Sequence, residues 1–236
     1  MIPSMPDAPS ERTRVRRLPG RGAYDRATID AILDEALVCH FGFLEGRQPF
    51  VVPTIHARIG DIVYLHGSSA SRTMRRAAEG VEVCVTVTLV DGLVLARSTF
   101  HHSMNYRSVM LLGRARAVVD SEEKLEALRA LSEHVLPGRW DEARPPNETE
   151  MKATSVVAVA IDEVSAKVRT GGPLDDESDL SAGCWAGVLP LRIVADPPVA
   201  SDDLAPGVEP SPAVARDRRF APSGTGTAPA RPGTAR

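Results

Sequence analysis

The sequence predicts a mainly β protein, an antiparallel barrel that is closed or partly closed, with two or three peripheral helices. Three observations lead to this fold class. Short apolar runs with strand-like alternation recur between Tyr24 and Val194, separated by glycine-containing turns. Two segments instead have the period of an amphipathic helix. The strand–helix alternation and GxGxxG turn of a dinucleotide-binding fold are absent.

Composition divides the 236 residues into three parts. Residues 1–22 contain four prolines and five arginines with almost no apolar periodicity, which predicts a flexible N-terminal arm. Residues 23–195 carry all the strand and helix patterns, so they are expected to form one domain. Residues 196–236 are rich in Pro, Ala, Gly, Ser and Thr, and such a segment cannot bury enough apolar surface to offset its ordering entropy. We therefore expect a disordered tail.

The first half of the domain predicts a helix followed by an antiparallel meander. Apolar residues at helical spacing over 29–37 predict an amphipathic helix, with Asp25 as its N-cap. Three strand-like runs follow, at residues 38–44, 50–57 and 62–66. A short basic helix is expected over 69–79, ended by Gly80 in the left-handed conformation.

The second half predicts longer strands around one more helix. Alternation over 81–89 is typical of a strand with one polar face. The dipeptide Asp91-Gly92 is a hairpin signal, so 93–96 is expected to return beside that strand. A helix is predicted over 121–136, with Ser121 as its N-cap. Two further alternating runs flank this helix, at residues 106–119, broken near Gly113, and 155–169.

Charge and cysteine content exclude several protein classes. The 28 basic and 31 acidic residues give a net charge of −3, whereas a nucleic-acid-binding domain is usually strongly basic. No apolar run approaches the roughly 20 residues that span a bilayer, and no apolar segment follows the basic N-terminal stretch as in a secretory signal. The three cysteines form no CxxC pair. We expect a soluble cytoplasmic protein without nucleic-acid or membrane partners.

The first polar segment that could bind a ligand lies where a strand leads into the basic helix. Small residues there allow close backbone approach to a ligand, and serine hydroxyls, helix amides and an arginine can surround an anion. This predicts a phosphate site formed by His66, Gly67, Ser68, Ser71 and Arg72. A serine-capped helix with solvated arginines is the alternative, and the residues alone leave it open.

The second polar segment, residues 99–108, precedes an apolar strand that does not require its chemistry. Ser103 or Asn105 could hydrogen-bond a planar, polar-edged ligand, Met104 or Tyr106 could stack on it, and Arg107 could supply charge. Adjacent strand residues point to opposite faces, so His101 and His102 cannot both face one ligand unless this segment is a loop. At least one of them is then an ordinary solvated residue.

Other kinds of site lack their sequence patterns. There is no GxSxG elbow for a serine hydrolase. The six histidines form no HxH or HExxH pair, so no metal site is expected. The acidic stretch 175–179 lacks the ligand spacing of a calcium loop and is interpreted as a solvated turn.

Several stretches taken together resemble one known family. These stretches are residues 49–54, 64–72, 88–97, 102–109, 137–140, 165–169 and 185–191. Through them the sequence is similar to the pyridoxamine 5′-phosphate oxidase-like, FMN-binding split-barrel proteins, and within them to the Nim-type branch of nitroimidazole-resistance or flavin-nucleotide-binding proteins. The stretches occur in order through nearly all of the predicted domain.

This resemblance implies a six-stranded antiparallel split barrel that forms a homodimer, with FMN at the subunit interface. It implies flavin-ring contacts at Val52, Pro53 and Thr54, phosphate contacts at 66–72, and a ring lining at 103–108. Trp185 would stack near the flavin from the partner subunit or belong to the dimer core. The Arg-x-Val-Leu-Leu-Lys strand and the C-terminal Arg-x-His of true pyridoxamine phosphate oxidases are missing, which argues against vitamin B6 oxidation.

The function expected from this resemblance is an FMN-binding oxidoreductase. It would take electrons from a reduced nicotinamide and pass them to a small acceptor such as a nitroaromatic compound. No catalytic acid or base is assigned, since the flavin itself carries the redox chemistry. The alternatives are a flavin-binding or storage protein without turnover, and a split barrel that binds haem or a deazaflavin.

Overall fold

A computed structural model describes residues 8–216. This part of the chain forms ten strands and six α-helices. The strands are β1 (Gly22–Ala23), β2 (Val38–Glu45), β3 (Gln48–Ile59), β4 (Ile62–Ser68), β5 (Glu82–Leu95), β6 (Ser103–Arg114), β7 (Arg116–Ala117), β8 (Thr154–Ala160), β9 (Glu163–Arg169) and β10 (Gly187–Pro190). The helices are α1 (Arg26–Glu35), α2 (Arg72–Ala78), α3 (Ser121–Val135), α4 (Arg139–Glu142), α5 (Glu148–Ala153) and α6 (Pro212–Arg216).

All strand pairs are antiparallel, in the order β1-β9-β6-β5-β2-β3-β4-β8-β7, and β10 pairs with the second half of β5. The mainly β fold with peripheral helices is thus confirmed. The sheet has more strands than the six expected, but β1, β7 and β10 have only two to four residues each. No helix in the described range is long and apolar enough to cross a membrane.

Two apolar cores hold the sheet and its helices together. The larger core fills the inside of the barrel, where Phe41, Val85 and Leu111 are almost fully buried. Helix α1 contributes Ile29 and Ile32 to it. The N-cap predicted for α1 is confirmed, because the Asp25 carboxylate accepts a hydrogen bond from the Thr28 N–H at 2.8 Å. A smaller core lies between α3 and the outer faces of β4 and β8.

The predicted hairpin at Asp91-Gly92 is wrong. Strand β5 runs through both residues to Leu95, and the pairing with β6 shifts register between Val90 and Gly92, which is a β-bulge. Asp91 and Gly92 therefore lie in a β-bulge and not in a turn. A Cβ at Gly92 would lie 3.0 Å from the Leu189 carbonyl oxygen, so glycine lets β10 approach β5.

Ser121 is not the N-cap of α3 as predicted. Asp120 holds the extended cap conformation, and its carboxylate accepts hydrogen bonds from the N–H groups of Glu122 and Glu123. Aspartate and serine are both good N-caps, so the geometry of the preceding loop determines that Asp120, and not Ser121, caps the helix. The predicted runs 106–119 and 155–169 are each divided into two strands, β6 with β7 and β8 with β9.

The predicted arm contains residues that lie against the barrel. Thr13 is only 1% exposed, Arg12 pairs with Glu163, and the Val15 N–H donates to the Tyr24 hydroxyl at 2.9 Å. In the predicted tail, residues 196–216 are largely exposed and include α6. Residues 1–7 and 217–236 fall outside the described range, so the division into arm, domain and tail stays a prediction.

Candidate functional site

The corner between β4 and α2 uses its serine hydroxyls to hold its own backbone. The Ser68 hydroxyl accepts from the Ala70 N–H at 3.2 Å, and the Ser71 hydroxyl caps α2 by accepting from the Met74 N–H at 3.3 Å. Gly67 allows the close packing of Met74, whose Cγ would lie 3.0 Å from a Cβ at this position. The corner is therefore a fixed turn that leads into the helix.

Arg72 connects this corner to β3. Its guanidinium carbon lies 4.1 Å from the centre of the Phe50 ring, and its Nε lies 3.5 Å from the Glu45 carboxylate. More than half of the side chain is exposed, so the guanidinium can still reach a ligand. Arg72 thus lies beside the strand that carries Val52, Pro53 and Thr54.

Strand β3 leaves one backbone edge open next to the corner. It pairs with β2 over residues 48–55 and with β4 over 56–59. No other described strand pairs with residues 48–55. Backbone groups on such an edge need partners, and Val52 and Thr54 are half-buried there. The structure therefore brings Val52, Pro53 and Thr54 together with the corner residues.

The charge of Arg107 in the second polar segment is already neutralised. Its guanidinium binds Asp91 at 2.8 Å and also contacts both carboxylate oxygens of Glu35. Hydrogen bonds to Glu35 and then Asp91 raise the pKa of Arg107. Arg107 is thus a structural link between β6, the β5 bulge and the end of α1.

Asn105 in the same segment is buried and holds a second arginine. Its side-chain oxygen accepts from Arg169, and its amide donates to the Gly171 carbonyl at 3.1 Å. Arg169 is 6% exposed, has a buried Nε without a partner, and forms no ion pair within residues 8–216. Burial lowers the pKa of Arg169. Alternation on β9 gives no signal for this buried cation, so local spacing does not predict it.

Trp185 lies at the same end of the sheet as the beginning of β6, with β5 between them. It precedes β10, which pairs with the part of β5 that also pairs with Ser103 and Met104. The indole is 67% exposed and covers Gly187, where a Cβ would lie 2.7 Å from the ring. Met104 is 49% exposed. Together with Tyr106, which is half-buried, these residues form a second group.

Within one chain the corner lies far from the residues at the beginning of β6. Phe50, which Arg72 contacts at the corner, pairs with Phe43 of β2, and Phe43 pairs with Val83 of β5. Phe50 and Val83 therefore lie at the same height along the sheet. Met104 is level with Leu93 of the same strand. Ten residues of strand separate these levels, which is roughly 30 Å at about 3.3 Å per residue. One chain therefore does not form a single site from all the predicted residues.

His66 faces away from the corner with which the sequence groups it. It shares a face of β4 with Tyr64 and lines a cavity of about 400 Å³ against the helical layer, together with Leu128, Trp140, Ala143, Arg144, Pro146, Glu150 and Thr154. None of the other predicted corner residues lines this cavity. The buried Nδ1 of His66 has no hydrogen-bond partner, and burial lowers the pKa of the imidazole. His66 is thus a neutral ligand-type nitrogen at neutral pH.

The other histidines near the second group have local partners. His102 Nδ1 accepts from the Ala96 N–H at 3.1 Å, and His101 Nε2 lies 3.3 Å from Asp176. Ligand atoms of His101, Asp176 and Asp179 lie within 4.8 Å of one another at the surface. Asp175, expected to be solvated, instead accepts from the Arg97 N–H and guanidinium at 2.6 and 2.7 Å.

Comparison with known proteins identifies the family. The family model described as pyridoxamine 5′-phosphate oxidase matches residues 25–168, more than half of the chain. The chain belongs to the pyridoxamine 5′-phosphate oxidase family. No curated protein matches this chain significantly.

Solved structures extend the likeness beyond the family model. The flavocytochrome Anf3 from Azotobacter vinelandii is 44% identical over 89% of this chain and 98% of its own, with a TM-score of 0.84. The FAD- and haem-binding protein from Mycobacterium smegmatis is 35% identical over 83% of this chain and 96% of its own, with a TM-score of 0.80. A 5-nitroimidazole antibiotic resistance protein from Bacteroides thetaiotaomicron is 25% identical over 62% of this chain and 86% of its own, at 0.50.

Proposed function

We propose that this protein is a redox protein that binds a flavin and a haem and passes electrons from a reduced nicotinamide to a small acceptor. The observation that carries the proposal is 44% identity, over 89% of the chain, to a flavocytochrome. The FAD- and haem-binding relative supports the same pair of cofactors. The cofactor expected from the sequence, FMN, is therefore widened to FMN or FAD, with haem as a second group.

The flavin is proposed to lie along the open edge of β3. The alternation of the β2–β3 pair turns the backbone groups of Val51 and the carbonyl of Pro53 to the open edge, where they suit the polar edge of a flavin ring, whereas Val52 and Thr54 bond to β2. Ser68, Ser71 and Arg72 would take the phosphate at the adjacent corner. A bound flavin supplies the hydride and electron chemistry. The chain's own residues bind and orient it.

A homodimer would complete this site. The beginning of β6 lies roughly 30 Å from the corner of the same chain, so we propose that Ser103, Met104 and Trp185, together with Tyr106, reach the flavin from a partner subunit. Exposed apolar side chains favour such an interface, among them Val51 at 66% and Trp185 at 67% exposure. The isologous contact of a two-fold dimer would form two equivalent sites.

The cavity at His66 fits a haem. The His66 side chain lines the cavity and its pKa is lowered by burial, and a neutral imidazole is the usual proximal ligand of haem iron. Leu128, Trp140 and Pro146 give apolar contact for a porphyrin. Arg144 is the arginine that lines the cavity and would pair with the propionate groups of a haem, in place of Glu150, which it now contacts at 2.8 Å. Haem would supply a one-electron centre there.

Absorption spectra of the purified protein, before and after reconstitution with FMN, FAD and haemin, test the proposal. We expect flavin bands and a Soret band, with His66→Ala losing or shifting the Soret band while the flavin bands stay. His102→Ala is the matched control, because its ring already accepts from Ala96. A protein that takes up neither flavin nor haem would refute the proposal.

Reduction of a nitroaromatic acceptor is a second candidate function, favoured by the likeness to the nitroimidazole resistance protein. Steady-state oxidation of NADH or NADPH by the flavin-loaded protein, with a nitroimidazole as acceptor, tests it. Turnover only with the nitro compound would favour this function over the first. No turnover with any acceptor would indicate the storage alternative.

A further inference from the structure

The N-terminal arm forms one wall of a cleft on the outer face of the barrel. Residues 13–17 lie opposite the outer faces of β5, β6 and β9 and enclose a cavity of about 410 Å³ with them. Contacts hold both sides of this segment, since Arg12 pairs with Glu163 and the Val15 N–H binds the Tyr24 hydroxyl. The cleft is thus a built feature, and its volume is typical of small-molecule sites.

The walls of the cleft carry a strong excess of positive charge. They include Arg14, Arg16, Arg17 and Lys167. Glu11 lies 2.9 Å from Arg14 and 3.7 Å from Arg16. Arg17 and Lys167 form no ion pair with any residue that the structure describes. Four cations facing one nearby carboxylate favour a ligand with more than one negative charge.

Arg169 lies next to the cleft but lines a separate cavity, where its guanidinium donates to Asn105 and to the carbonyls of Gly171 and Gly172. It stands two residues after Lys167 on the outward face of β9, nearly buried and without a carboxylate partner in the described chain. Its Nε also lacks a hydrogen-bond partner. A buried guanidinium that no acid compensates is costly unless an anion lies nearby.

The floor of the cleft suits a nucleoside. Outward positions of the three strands supply the hydroxyls of Thr86, Thr88, Ser108 and Ser165, which can bind ribose oxygens. Val15 and Met110 add apolar surface for a base. A lone phosphate would use only a small part of this volume.

The cleft lies near the proposed flavin strand. Pro53 pairs with His40, and His40 pairs with Thr86 on the cleft floor. Two strand spacings separate Pro53 from Thr86, which is roughly 10 Å. A dinucleotide could therefore have one end at β3 and its diphosphate in the cleft. The arm precedes residue 25, where the family match begins, so the family model does not account for this wall.

We propose that the cleft binds the adenosine diphosphate part of a dinucleotide. The source of that part is either a nicotinamide dinucleotide as the electron donor or FAD as the cofactor, and this choice rests on the proposed function. FAD would place its phosphates in the cleft instead of at the corner of Ser68, Ser71 and Arg72. Binding of ADP itself does not depend on the proposed function.

Calorimetric titration of the purified protein with ADP, and separately with inorganic phosphate, tests the cleft. We expect ADP to bind at least about tenfold more tightly than phosphate, and the double variant Arg17→Gln/Lys167→Gln to lose about tenfold or more of the ADP affinity. Arg129→Gln on α3, an exposed arginine far from the cleft, should bind ADP normally. Arg14→Gln/Arg16→Gln should weaken ADP binding less, because Glu11 offsets those charges.

Two further measurements on Arg17→Gln/Lys167→Gln distinguish the sources of the diphosphate. If this variant binds FAD more weakly than the wild type but binds FMN equally well, the cleft belongs to the cofactor. If its KM for NADPH is raised while its flavin affinity is unchanged, the cleft belongs to the electron donor. ADP that binds no better than phosphate, or equally well to wild type and Arg17→Gln/Lys167→Gln, overturns the proposal. A protein that binds ADP but no flavin or haem would refute only the proposed function.

Discussion

The buried histidine His56 is expected to make folding stability depend on pH. The residue is fully buried, and its Nε2 donates to the Leu33 carbonyl at 2.9 Å, which leaves Nδ1 unprotonated and without a partner. Burial, reinforced by the His134 ring 4.9 Å away, lowers the pKa of His56 from 6.5 to about 4. Protonation of the native state is therefore unfavourable.

The sign and size of the effect follow from this shift. In the unfolded chain His56 titrates near 6.5, so the unfolded state binds a proton first as the pH falls. Its contribution is fully present above the unfolded pKa and is lost as the pH falls from about 6.5 towards about 4. The whole shift corresponds to about 3 kcal/mol of unfolding free energy, of which about 2 kcal/mol is lost by about pH 5.

Urea denaturation at about pH 7.5 and about pH 5 measures this loss. The variant His56→Gln keeps an N–H donor for the Leu33 carbonyl but cannot titrate, so its stability should fall by about 2 kcal/mol less than that of the wild type. His40→Gln, at an exposed position of β2, should behave like the wild type. Equal pH dependence of the wild type and His56→Gln would refute the reasoning.

Three further changes test particular contacts. Asp120→Ala should lower the unfolding free energy by about 1 kcal/mol through loss of the α3 cap, whereas Ser121→Ala should change it by under about 0.5 kcal/mol; the reverse order in urea denaturation would contradict the observed cap. Arg72→Ala should weaken FMN binding by about 1–3 kcal/mol in fluorescence titrations, and an equal loss for Arg75→Ala, on the same helix, would argue for general charge. Asn105→Leu should cost about 2 kcal/mol of stability, because a buried Arg169 loses its side-chain acceptor, and an unchanged denaturation midpoint would show that the Gly171 and Gly172 carbonyls suffice.

Local patterns were sufficient where the interaction that fixes an element is itself local. The cap of α1 by Asp25 joins residues three positions apart, and the alternation of β5 reports which side chains face the core. The choice between Asp120 and Ser121 failed by one residue, since both side chains can cap and only the loop geometry differs. Asp91-Gly92 failed because the β5–β6 and β5–β10 pairings, which join distant segments, outweigh a turn preference.

Local patterns were enough for the fold class, the first helix cap and the segments rich in polar groups, because side-chain alternation and caps depend on residues a few positions apart. What those polar groups contact follows from the folded chain. It neutralised Arg107 with Glu35 and Asp91, turned His66 towards the helical layer, and set the arginines of the arm against the barrel. Each of these outcomes depends on residues far apart in the chain, whose proximity is fixed by strand order and register and leaves no trace in local spacing.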